Sequence, residues 1–145
     1  MAITTNAICN SFKKELLEGT HNFKSSGGNS FKLALYTSSA TLGKSTTSFT
    51  TDNQVGATGQ YASGGSALTN GGTSLSSDTA LVDFADLSFT GVSLTARGAL
   101  IYNDTASGDP AVCVLNFGSD KTATSGTFTI QFPSFSSSAA IIRIA

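Results

Sequence analysis

The sequence predicts an all-β fold, a β-sandwich (jelly-roll or Ig-like) of seven or eight short strands with one N-terminal helix. Three observations predict it. Short apolar runs rich in β-branched and aromatic residues recur along the chain. Turn chemistry separates them about every ten residues. Only one stretch, near the N-terminus, has helical spacing of its apolar residues. The densest strand signal lies in residues 96–132, ARGALIYNDTASGDPAVCVLNFGSDKTATSGTFTIQF, which read as three strands joined by two hairpin turns. Residues 99–102 and 112–117 are apolar runs. Residues 127–132 alternate, with Phe128, Ile130 and Phe132 on one face and Thr127, Thr129 and Gln131 on the other. The polar, Gly-containing stretches 103–110 and 118–126 are the expected turns. Such a meander needs a second layer to cover its apolar face.

At 145 residues the chain is read as one domain, 1–145, long enough to bury a core without staples. Charged residues are 12% of it, about half of what is usual in soluble domains, while 42 residues are Ser or Thr. The net charge of −1 gives no electrostatic case for nucleic acid or an anionic membrane. With 39% hydrophobic residues at strand periodicity, disorder is excluded. Cys9 and Cys113 read as two buried free thiols, with a disulfide as the alternative, and no CxxC or Cys/His spacing suggests zinc. No basic segment followed by a long apolar run opens the chain, so synthesis in a cytoplasm without a secretory signal is expected.

Taken in order, residues 1–5 read as a short arm and 7–18 as the helix, with Thr5 or Asn6 as N-cap. Ile8, Phe12 and Leu16, with Cys9 beside them, form its apolar stripe; Lys13, Lys14, Glu15 and Glu18 would face water. The stripe is expected to dock on the domain's own sheet, with a partner subunit as the alternative. Gly19 is placed to end the helix in a left-handed conformation. Residues 31–36, FKLALY, form a strong strand. Residues 37–72 read as a long Ser/Thr/Gly loop ordered by its neighbours, with 60–62 or 66–69 pairing at a sheet edge. Strand signals return at 80–84 and continue from Leu87 to Ala96, with Gly91 marking a bulge or bend. A Ser-rich turn at 134–138 precedes a last strand at 140–144.

The chemistry along the chain is sparse. His21, the one histidine, reads as an exposed linker residue, since a Ser-His-Asp triad would need a local signature that is missing. Asp83, Asp86, Asp104, Asp109 and Asp120 fall at expected strand ends and turns, where such residues bond their own backbone. A calcium site from Asp104 and Asp109 would match no EF-hand spacing. The SGGS at 63–66 and NGG at 70–72 lack the Lys-Ser/Thr of a P-loop. Tyr36, Tyr61 and Tyr102 read as core or rim packing, with a carbohydrate platform as the alternative. No catalytic, cofactor-binding or metal-binding residue is assigned, no cofactor is expected, and a non-enzymatic protein is anticipated.

Three pieces, NAICNSFKKELLEGTHNF…FKLALYTSSATLG, ARGALIYND and VLNFGSDKTATSGTFTIQFP, together with the loop segment TTDNQVGATGQY, resemble a family of small proteins of tailed bacteriophages, marine and freshwater ones included. The resemblance spans nearly the whole chain, and ARGALIYND followed by Phe117–Lys121 is its most specific part. It implies a capsid decoration (cement) protein on the virion exterior, often a homotrimer, whose partner is the major capsid protein. A phage tail or fibre component with a receptor-binding role is the alternative. The family supplies no catalytic motif, so the resemblance carries over a role and no site. Contacts to the shell are expected from the arm at 1–5 and the loop at 37–60.

Overall fold

A computed structural model describes residues 3–145. It contains two antiparallel sheets and one short helix, an all-β, sandwich-like architecture. In chain order the elements are β1 (Ala7–Ile8), α1 (Asn10–Leu17), β2 (Phe31–Tyr36), β3 (Ser66–Ala67), β4 (Asn70–Ser76), β5 (Thr79–Phe84), β6 (Leu87–Asn103), β7 (Ala111–Ile130) and β8 (Ile142–Ile144). The larger sheet runs β1-β7-β6-β2-β3 and the smaller β4-β5-β8.

A single long hairpin, not a three-stranded meander, organises the larger sheet. β6 has 17 residues and β7 has 20, and they pair from Leu87 opposite Ile130 to Tyr102 opposite Ala111. Residues 104–110 form the connecting turn, as expected. The second expected turn, 118–126, does not exist: those residues continue β7. Thr122 faces Thr95, and their hydroxyls lie 2.9 Å apart. The Gly, Asp and Ser that suggest a turn serve as bulges instead. Between Ala96 and Gly98 the register slips, and Gly118 sits there at φ 81°. Gly91, at φ 64°, marks a further bulge where the register shifts between Phe89 and Val92. So the eight strands are not all short, and bulges rather than turns absorb the polar residues.

The helix also begins later than its apolar spacing suggests. Ala7 and Ile8 pair with Val114 and Cys113 of β7, and Cys9, not Thr5 or Asn6, occupies the N-cap without a side-chain bond. The Asn10 N–H instead donates to the Lys44 carbonyl at 2.7 Å. Gly19 has φ 75°, as a left-handed C-cap requires. Phe12 is 1% exposed and docks the helix on its own domain, with its ring centroid 4.8 Å from His21 and 5.9 Å from Phe23. Burying such a ring contributes about 2–3 kcal/mol. Leu17, off the stripe, is exposed.

β2 and the Gly98–Asn103 part of β6 are buried on both faces apart from the half-buried Lys32, which is why each reads as a near-continuous apolar run. One face meets α1 and the small sheet through Phe31, Phe23, Phe84 and Phe132, whose rings stack or tilt together at 4.3–6.0 Å. The loop from 37 to 65 covers the other face. Ala40, Leu42, Val55 and Tyr61 are buried in it, and Phe49 stacks on Tyr102 at 4.6 Å. The loop thus acts as a third layer. Past it, β3 pairs with β2 at the sheet edge, within the stretch expected to do so, whereas β4 lies in what reads as featureless sequence.

Candidate functional site

His21 is buried, 7% exposed, and is not a linker residue. Its Nε2 lies 3.3 Å from Glu15 Oε1 and its Nδ1 3.0 Å from Asn103 Nδ2, while Phe12, Phe23 and Phe31 surround the ring. Burial pushes its pKa below the usual histidine value, against an opposing pull from Glu15. Glu15 therefore faces the core junction rather than water. A nucleophilic serine does not appear among the ring's partners, and the constellation is a clamp between α1, the segment before β2, and the end of β6. Sequence spacing carries no signal for it, because Asn103 lies 82 positions away.

The tyrosines belong to the interior. Tyr36, Tyr61 and Tyr102 are each at most 2% exposed. Tyr36 donates to the Thr50 carbonyl at 2.6 Å and Tyr102 to the Gly64 carbonyl at 2.7 Å. Tyr61 accepts from the Leu35 N–H at 2.8 Å and lies 3.2 Å from Gln54 Oε1. Burial raises all three hydroxyl pKa values, that of Tyr61 to about 12. Each hydroxyl ties the long loop to the sheet, so no carbohydrate platform is presented.

The carboxylates do not converge. Asp104 pairs with Lys32 at 3.3 Å, and Asp120 lies 3.6 Å from Arg97. Asp109 sits at φ 48° in the hairpin turn, with its N–H on the Ala106 carbonyl. Asp86 accepts from the Phe132 N–H at 2.8 Å. Asp83 lies within β5, buried, rather than at a turn. Among the described residues no group of three or more His, Cys, Asp and Glu side chains is assembled for a metal. Cys9 and Cys113 are buried free thiols, and burial raises both pKa values, Cys9 to about 11. The SGGS stretch is structural: Gly64 N–H donates to Gln54 Oε1, and Gly65 fits against the Leu33 carbonyl where a side chain would collide. Asn70 Oδ1 accepts from Gly72 N–H within β4.

What the fold does bring together is the arm and the loop. Asn116 Nδ2 donates to the Thr4 carbonyl and Asn116 N–H to Asn6 Oδ1, fastening the arm beside β7. Ile3 is fully buried against Gly98; Met1 and Ala2 lie outside the described residues. On the loop side, Ala111 N–H donates to the Thr47 carbonyl and Phe49 N–H to the Asp109 carbonyl. Between 4–7 and 41–50 lies an open groove of about 760 Å³, lined mainly by Thr, Ser and Asn with Lys44 as its one charged side chain. Chemically this groove offers hydrogen bonds and shape, with no paired acid and base. No helix among the described residues is long and apolar enough to cross a membrane. Comparison with protein-family models, curated proteins and solved structures yields no match.

Proposed function

We propose that the protein is a capsid decoration (cement) protein: it binds the outer surface of a phage shell, contacts the major capsid protein and stabilises the assembled particle without catalysing a reaction. The observation that carries this reading is the convergence of the 4–7 arm and the 41–50 loop on one hydroxyl-rich groove. The sequence pattern resembling phage virion proteins directs it to a shell. Tyr36 and Tyr102 hold the loop through backbone carbonyls, so the surface is ordered before binding and little entropy is lost on contact. A hydroxyl-lined relief with a single charged side chain, Lys44, suits repeated contacts of modest strength, summed over many copies. A homotrimer around local threefold positions is part of the proposal.

The test is binding to expanded heads of the cognate phage, followed by cryo-EM of the virion. Intact heads should bind a fixed copy number, and dissociated shell subunits should bind poorly, because a site across a seam exists only after assembly. Filling the groove with exposed Ser45→Trp and Thr47→Trp should weaken head binding at least tenfold while leaving the melting curve unchanged. Density confined to the tail or fibres, or equal binding to free subunits, would refute the reading.

A further inference from the structure

We propose that the open side of the sandwich between β7 and β8 receives an extended segment of another protein, which adds as a strand to the β7 edge. The inference does not depend on the arm–loop groove or on which assembly the protein joins. β7 pairs along its length with β6, but among the described residues its other edge is strand-paired only at Cys113 and Val114, with β1. From Phe117 to Ile130 that edge has no strand partner among the described residues. The small sheet ends on β8, whose outer edge also has no strand partner among the described residues. Ile141 places both edges on one side of the molecule, because it lines the groove along β7 as well as those beside β1 and α1.

The groove along β7 measures about 620 Å³. Phe117, Phe128, Ile130 and Phe132 line it, and Lys121 is its one charged side chain. These features specify the occupant. A bare strand edge repeats N–H and C=O groups at a spacing that another extended backbone matches. Every second side chain of that backbone would point over Phe128 and Ile130, so those positions are apolar and the intervening ones polar. Lys121 is complemented by an acidic side chain. Ser125 at φ 46° bends the edge, so flat pairing centres on residues 127–130.

The protein's own arm is not the occupant, since Thr4 and Asn6 are already held by Asn116 and Ile3 is buried. A second folded copy fits less well. It would set one β7 groove against another, each with Lys121 as its one charged side chain and no carboxylate among its lining residues to meet it. A free arm from a different chain fills the edge and the groove together.

The probe is a display library of random twelve-residue peptides selected on the immobilised full-length protein. Enrichment of sequences with apolar residues at alternate positions and an Asp or Glu is the expected result. A labelled synthetic peptide from the selection, followed by fluorescence anisotropy, should lose at least tenfold in affinity when one alternate set of its backbone amides is N-methylated. N-methylation of the other set should change little. The exposed substitution Lys121→Glu should weaken the acidic peptide about tenfold and favour its Lys-substituted analogue, with the fold intact by circular dichroism. No enrichment over a blank surface, enrichment without alternation, or indifference to N-methylation would each overturn the proposal. So would concentration-dependent dimerisation that slows hydrogen exchange at residues 127–130, which would make a second copy the occupant.

Discussion

Asn103 Nδ2 lies 3.0 Å from His21 Nδ1 and sets the histidine tautomer. An amide nitrogen only donates, so Nδ1 accepts and the ring proton rests on Nε2, directed at Glu15 Oε1. The same amide donates to Asn29 Oδ1, and its oxygen accepts from the Thr105 and Ala106 N–H groups. One side chain therefore joins the hairpin turn to the helix junction. Asn103→Ala should cost about 3 kcal/mol, because it strands buried donors and acceptors. For a chain of this size that lowers the melting temperature by about 10 °C. An unchanged thermal melt would show that the amide does not hold this junction.

The pH response of His21 follows from its burial. Its pKa lies below the usual 6.5 in the folded state, so the unfolded chain takes up the proton first. The stability associated with the neutral ring is whole above about pH 6.5 and falls as the pH drops toward the folded pKa. Urea midpoints measured between pH 7.5 and 5 should decline for the parent and lose that component in His21→Gln. Identical pH profiles for the two proteins would contradict the assignment.

Asp83 titrates with the opposite sign. Its Oδ1 accepts from Phe84 N–H at 2.9 Å, while Oδ2 is buried with no partner among the described residues. Burial raises its pKa, opposed by the backbone bond from Phe84 and the pull of the Ile141 N–H. The folded state therefore holds the proton more tightly, and this contribution to stability is whole below about pH 3.8 and lost as pH rises through the folded value. Asp83→Asn keeps the acceptor and removes the charge. It should be more stable than the parent by about 1 kcal/mol at pH 7, with the advantage gone near pH 3.5, as read from urea titrations at both values.

The legible parts of the fold were those where local pattern and tertiary need agree. FKLALY became β2 residue for residue, Gly19 took its left-handed φ, and Gly91 took its bulge. Residues 118–126 misled because Gly, Asp and Ser serve a turn and a bulge equally well; the choice fell to pairing with Leu94, Thr95 and Ala96 across the hairpin. Ala7 and Ile8 have helical spacing but gain more by pairing with β7. His21 misled for a related reason, since the ring is buried by partners from elements remote in sequence. The arm–loop groove was legible in its two segments, both read as contact regions, but not in their adjacency, which depends on Asn116 and Lys44.

Gly65 tests how firmly the loop layer is held. At φ 79° it lies so close to β2 that an added Cβ would overlap the Leu33 carbonyl. Relief requires the backbone of either the loop or β2 to move, since no flexible side chain is available to give way. Gly65→Ala should destabilise by more than about 2 kcal/mol, combining left-handed strain with the collision. The lesion should be local as well as global. Limited proteolysis should cut between 37 and 65 in the variant under conditions where the parent is resistant, and a resistant variant would mean that the loop is not clamped at this point.

The long hairpin makes the sharpest claim against a reading from sequence alone. If 118–126 formed a turn, its amides would exchange with solvent at uniformly fast rates. In a continuous antiparallel pair only alternate N–H groups point at the partner strand. Amide exchange over 121–130 should therefore alternate between slow and fast, with the slow set bonded to β6 and the pattern interrupted at the bulges. Ser125 gives a second handle, since its φ of 46° is a left-handed conformation that costs a non-glycine residue about 1 kcal/mol. Its N–H bonds Ser93 Oγ at 2.9 Å through the backbone nitrogen, so Ser125→Gly keeps that bond and relieves the strain. The variant should gain up to about 1 kcal/mol of stability, less the added chain entropy of glycine. Uniformly fast exchange across 121–124 would break β7 in two and restore the turn that the sequence suggests.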